Sequence, residues 1–120
     1  MDIKDFYINE NETIISAFEA ISKNHQRIIF LANDENKITA ALSQGDIIRE
    51  MISGTSMYSH CINIANTGYK YLRERDMEKA YKMFKTINLS VIPVIDDSFH
   101  LVDVITTHDI FDYLESKAED

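Results

Sequence analysis

Two stretches of this 120-residue chain place a hydroxyl three positions ahead of a carboxylate: Ser43-Gln44-Gly45-Asp46 and Thr106-Thr107-His108-Asp109. Each lies where an apolar run gives way to helical spacing. Two chemistries fit that pattern. In the first, the hydroxyl caps a backbone N–H at a helix start, and the acid reaches back to the cap residue and faces the positive helix end. In the second, the free N–H groups of the same helix start receive a phosphate. The acid then accepts two hydrogen bonds from a vicinal diol such as a ribose. The residues alone leave both readings open.

The elements that must position these turns occur twice. Shifted by 63 residues, the chain matches itself without a gap: Thr13 falls on Asp76, Ala17 on Ala80, Phe18 on Tyr81 and Ile21 on Phe84. "IIFLAND" falls on "VIPVIDD", and "LSQGDII" on "ITTHDIF". Few identities survive, but apolar and polar classes agree almost throughout. This is a tandem duplication of a unit of about sixty residues, not a short-period solenoid.

Each copy has the same predicted order. A short aromatic or β-branched piece, Phe6–Ile8 or Tyr69–Leu72, reads as a strand. Thr13 and Asp76 stand where N-caps belong, ahead of a first helix. Ile14, Phe18 and Ile21, and in the second copy Met77, Tyr81 and Phe84, form its buried face. Two strands joined by a polar turn follow, Ile28–Leu31 with 37–42 and Val91–Ile95 with 100–105. A helix, Asp46–Ile52 or Asp109–Glu115, closes the unit. The expected class is therefore α+β, two β-α-β-β-α repeats at 1–56 and 57–120. A three-strand sheet of this size is marginal alone, so the repeats are expected to pack sheet to sheet, with pseudo-two-fold symmetry, around one core. Residues 53–68 read as the connection, and Pro93 as a residue that opens or edges its strand.

Composition narrows the function. Apolar residues make up 45% of the chain, enough for a real core. Twenty acids against 12 bases give a net charge of −8, with no Lys/Arg cluster, so no nucleic-acid partner is expected. The longest apolar runs, "IIFLA" and "VIPVI", are far too short for a membrane span, and no basic-then-apolar leader opens the chain. The single cysteine, Cys61, excludes an internal disulfide and suits the cytoplasm.

Other reactive residues carry less. His60 and Cys61 are adjacent, and adjacent side chains seldom converge on one ion; no second Cys or spaced His pair completes a metal site. His25 and His100 sit at turn positions, and Asp96-Asp97 reads as a solvated hairpin turn. No glycine-rich phosphate loop, G-x-S-x-G elbow or H-E-x-x-H is present. The expectation is a non-enzyme with no cofactor of its own.

The chain resembles a tandem pair of CBS domains, the Bateman module. "TIISAFEAISKNHQRIIFLANDENKITAALSQGDIIREMISG" is similar to the first repeat of the pair preceding some bacterial sugar-phosphate nucleotidyltransferases. "INLSVIPVIDDSFHLVDVITTHDIFDYL" is similar to the second, including its Ile-Pro-Val followed by an acid. The resemblance implies a regulatory module whose ligand is AMP or another adenosine-type nucleotide. It places ribose and phosphate contacts on Ser43 and Asp46 in one repeat and on Thr106 and Asp109 in the other. It places the base along Leu89, Val91, Ile92 and Pro93, with Ile8 or Tyr71 opposite.

Local charge then limits the ligand. Arg49 stands near the first turn and His108 near the second. Asp103 lies three residues before Thr106, where it would repel a phosphate. A nucleotide of low charge is therefore expected. The closing helices carry broad apolar faces, with Ile47 above Met51, Ile48 above Ile52, and Ile110 above Leu114 beside Phe111. The surplus faces water unless a partner covers it. The resemblance implies a homodimer through Asp46–Ile52 and Asp109–Glu115. The competing expectation is a ligand-free dimerisation module, in which the two turns are caps only.

Overall fold

Thr13 holds extended backbone and its hydroxyl accepts from the Ser16 N–H at 3.1 Å, so the chain enters α1 (Ile14–Asn24) at the expected cap. The computed structural model describes residues 2–87 and 89–118. The outermost residues of the two expected repeats (1, 119 and 120) and residue 88 lie outside that range. The described chain is α+β, with two sheets and four α-helices. It forms two compact units, Met1–Tyr69 and Lys70–Asp120.

In the first unit, α1 buries Ile14, Ala17 and Ile21, recurring at three and four, with Phe18 half-buried beside them. The helix ends at His25, whose φ of 60° is left-handed and whose N–H bonds Ile21. The strands β1 (Tyr7–Asn9), β2 (Ile28–Ala32) and β3 (Ile38–Ser43) lie in the order β1-β2-β3. β1 is parallel to β2, with Tyr7 opposite Phe30, and β2 is antiparallel to β3, with Phe30 opposite Ala41. Ile29, Leu31, Ala40 and Leu42 meet α1 and the buried Ile47 of α2 (Gln44–Ile52) in one apolar cluster. Full burial of one such aliphatic side chain is worth roughly 1.5–3 kcal/mol.

Residues 57–66, read above as connection, bond to this first unit. The Ile14 and Ile15 N–H groups, which the helix start leaves without partners, donate to the carbonyls of Ser59 and Met57 at 3.0 and 3.1 Å. Ala41 and Asn66 exchange backbone hydrogen bonds of 2.9 and 2.8 Å, and Cys61 enters the core. The unit boundary accordingly lies after Tyr69, beyond the expected division at 56/57.

The second unit repeats the plan with one omission. Asp76 caps α3 (Met77–Thr86) by accepting from the Lys79 N–H at 3.1 Å. β4 (Val91–Ile95) and β5 (Leu101–Thr106) are antiparallel, with Val91 opposite Thr106 and Ile92 opposite Ile105. α4 (Thr107–Ala118) follows, and Ala80, Ile92, Val94, Ile105 and Ile110 form the core. The strand expected at Tyr69–Leu72 is reduced to a single bridge between Leu72 and Val94. On that edge Leu72 donates to the Pro93 carbonyl at 3.0 Å and accepts from Ile95 at 2.8 Å. Pro93 has no N–H to offer a longer partner there, so the ladder stops. Pro93 thus occupies the middle of its strand, with its missing donor on the sparsely paired side.

Candidate functional site

Both hydroxyl-acid turns close into the same box. At the end of β3 the Ser43 hydroxyl accepts from the Asp46 N–H at 3.1 Å, and Asp46 Oδ2 accepts from the Ser43 N–H at 3.3 Å. At the end of β5 the Thr106 hydroxyl accepts from the Asp109 N–H at 3.3 Å, and Asp109 Oδ2 accepts from the Thr106 N–H at 2.9 Å. The capping chemistry is therefore present twice. Each carboxylate also stays partly exposed, with side-chain exposures of 29% for Asp46 and 30% for Asp109, so neither box is sealed from a solute.

The acids differ in their cations. Arg49, one turn further along α2, donates to Asp46 Oδ1, so both oxygens of Asp46 are engaged inside the protein. The position equivalent to Arg49 is Asp112, and it lies 3.4 Å from His108 Nε2. His108 is thereby drawn along its own helix face, not toward Thr106 and Asp109. The cation beside Asp109 is instead Arg75, just ahead of the α3 cap. Its Nη2 lies 3.6 Å from Asp109 Oδ2, while Nη1 donates to Asp103 Oδ2 at 3.0 Å and to the Val104 carbonyl at 3.1 Å.

Sequence reasoning missed Arg75 because the repeat gave no prompt. Its counterpart in the first copy is Glu12, and the counterpart of Asp103 is Ala40. The available signal was that both positions change together, acquiring opposite charges in the second copy.

Ile92 and Pro93 are fully buried, Ile92 within the second core, so neither side chain is open to a ligand. Val91 lies opposite Thr106 across the β4–β5 pair, next to the second box. Leu89 and Ile8 pack against their respective cores. Tyr71 stacks edge-on to Phe99, ring centroids 6.1 Å apart, and Arg73 lies over both rings at 5.1 and 4.8 Å. No group of three or more His, Cys, Asp or Glu among the described residues could hold a metal ion. No helix among them is long and apolar enough to cross a membrane.

The CBS domain model matches residues 1–53 and 73–116, one match on each half of the duplication. The chain belongs to the CBS domain family. Its two matches make it a tandem CBS pair, and CBS pairs are generally regulatory modules. Among solved CBS structures, it is similar to a CBS domain protein from Pyrobaculum aerophilum complexed with AMP, at TM-score 0.78 and 20% identity, covering 92% of this chain and 91% of that one. It is also similar to a CBS domain pair in complex with 5′-methylthioadenosine and S-adenosyl-L-methionine, at TM-score 0.75 and 20% identity, covering 93% and 89%. The magnesium transporter MgtE of Thermus thermophilus is 25% identical over 91 residues, 75% of this chain. The chain spans 19% of that transporter's length.

Proposed function

We propose that this CBS pair is a regulatory module that senses an adenosine-type nucleotide of low charge and performs no catalysis of its own. The observation that carries the reading is the repeated box, a hydroxyl and a partly exposed carboxylate delivered twice by a strand to a helix start. Ser43, Asp46 and Arg49 serve one corner and Thr106 and Asp109 the other, with His108 at its rim on α4 and Ile92 and Pro93 backing the base. The AMP, 5′-methylthioadenosine and S-adenosyl-L-methionine complexes of similar CBS proteins support the ligand class. Low charge is supported by the pairing of Arg49 and Arg75 with acids of the chain itself. The ligand acts by binding one of two states more tightly, and only that difference reaches the regulated cytoplasmic partner. Thermal unfolding against a panel of adenine, guanine and cytidine nucleotides tests the reading. A ligand at a hundred times its Kd adds about 2.7 kcal/mol. Asp46→Asn and Asp109→Asn keep much of each cap and weaken the hold on a diol. A chain that no nucleotide stabilises would sink the proposal.

A second reading is favoured by the closing helices. Ile48, Met51 and Ile52 on α2 and Phe111 on α4 are exposed, Ile52 at 81%. They suit a homodimer through α2 and α4, either alongside nucleotide sensing or as the sole role of a ligand-free, non-catalytic part of a sugar-phosphate nucleotidyltransferase. Sedimentation velocity of the parent and of an Ile48→Lys, Ile52→Lys double variant decides it. A parent that stays monomeric at all concentrations ends this reading.

A further inference from the structure

We infer that Asp103 and Arg75 act together as a substitute for a pairing strand, closing the outer edge of β5 against a second copy of the chain. The inference is independent of any ligand. Pro93 and Val104 stand opposite each other across the β4–β5 pair. The Pro93 carbonyl accepts from the Leu72 N–H on the far side of β4, so the backbone groups of this pair point outward. The N–H and carbonyl of Val104 therefore lie on the outer edge of β5, where no strand pairs among the described residues.

Ala41 is the equivalent residue of the first unit, and backbone closes its edge. Asn66 accepts from the Ala41 N–H at 2.9 Å and donates to its carbonyl at 2.8 Å. At Val104 two side chains make the same two bonds. Asp103 Oδ1 accepts from the Val104 N–H at 2.8 Å, and Arg75 Nη1 donates to the Val104 carbonyl at 3.1 Å. Arg75 Nη1 also donates to Asp103 Oδ2 at 3.0 Å, which ties the acceptor to the donor. The first copy has Glu12 and Ala40 at these positions, so the two residues that change charge together are the two that replace Asn66.

An open strand edge is a template for another chain. Edge-to-edge pairing of two β5 strands would first break the bonds at Val104 and would bring both Asp103 carboxylates to one seam. Val102, 52% exposed on the same strand, supplies apolar surface that such pairing would bury. The charged pair opposes that gain.

Amide hydrogen exchange and sedimentation velocity of the full chain test this, in an Ile48→Lys, Ile52→Lys background that removes association through the closing helices. In dilute protein, Asp103→Ala should exchange the Val104 amide roughly fivefold faster than the background, having lost the acceptor. Asp103→Asn keeps an acceptor and should stay close to the background, whereas a merely electrostatic role would make the two variants alike. The Asp103→Ala, Arg75→Ala double variant exposes both groups of Val104 and should associate with rising concentration where the background does not. Circular dichroism checks folding, and Asp103→Ala decides both readouts if the double variant is unfolded. Val104 exchange unmoved by Asp103→Ala, or no association beyond the background, overturns the inference.

Discussion

Asn36 and Phe99 hold the same left-handed backbone, φ 62° and 66°, at equivalent corners of the two hairpins. Asn is at ease there, but a bulky aromatic is not. Phe99 is held by Arg73, whose guanidinium covers its ring at 4.8 Å and donates to the Asp96 carbonyl. The duplication thus reaches the level of single dihedral angles, and the second copy keeps the turn with a different residue and a compensating stack.

Substitution at Phe99 should separate strain from stacking. Phe99→Asn relieves the backbone and loses the stack, two terms of about 1 kcal/mol each, so stability stays within about 1 kcal/mol of the parent. Phe99→Val loses the stack and puts a β-branched residue at positive φ. It should be at least about 1 kcal/mol less stable than Phe99→Asn. Urea denaturation midpoints read the difference, and equal midpoints for the two variants would remove the strain argument.

The boxes carry their own cost, independent of any ligand. Ser43→Ala and Thr106→Ala each remove an acceptor for a helix-start N–H and should each cost about 1 kcal/mol, whereas Ser43→Gly costs only a few tenths. Chemical denaturation of the isolated chain measures both. If Ser43→Ala is neutral, the bond between its hydroxyl and the Asp46 N–H contributes nothing.

How much of this was legible beforehand follows from what repeats. Thr13 and Asp76, the two boxes, and the hairpins turning on Asn33 and Asp96 all recur at one spacing, so pattern alone exposed them. The missing third strand of the second unit was not foreseen: Pro93 was read as opening or edging its strand, but the missing N–H was not carried through to the truncated ladder beside it. Residues 53–68 were read as the connection from their turn-forming composition, and 57–66 among them belong to the first unit. Their role in receiving the Ile14 and Ile15 N–H groups is set by tertiary contact, which no local pattern records. Arg75 escaped because it breaks the repeat, standing where the first copy has Glu12.

Asp96 links the hairpin to acid sensitivity. Its Oδ1 accepts from the His100 and Ser98 N–H groups, both at 2.9 Å, as the uncharged Asn33 does from Lys37 and Glu35 at 3.0 and 2.9 Å. The His100 N–H, above all, holds its carboxyl below the usual 3.8. A depressed carboxyl contributes stability that is present above its unfolded value and lost as pH falls through its folded one. Asp96→Asn should therefore keep the turn and flatten the loss of stability below about pH 4. Parallel acid titrations by circular dichroism test this, and superimposable curves for parent and variant would refute it.

Cys61 supplies the opposite slope at the alkaline end. Its thiol is buried in the first core, with Sγ 3.5 Å from the Glu10 carbonyl, and burial pushes its pKa from 9.0 to about 11. The folded chain thus keeps the thiol protonated while the unfolded chain ionises from pH 9 upward. Its contribution is whole below the unfolded value and is lost as pH rises through the folded one, on the order of 2 kcal/mol by pH 11. Cys61→Ala cannot ionise, so it should be the less stable protein at pH 8, from lost packing, and close that gap as pH rises. Lysine and tyrosine titrations affect both proteins alike and cancel in the comparison. Urea unfolding of the two proteins between pH 8 and 10.5 gives the difference directly. A gap that stays constant across that range would mean the thiol's surroundings in the folded chain do not oppose its ionisation.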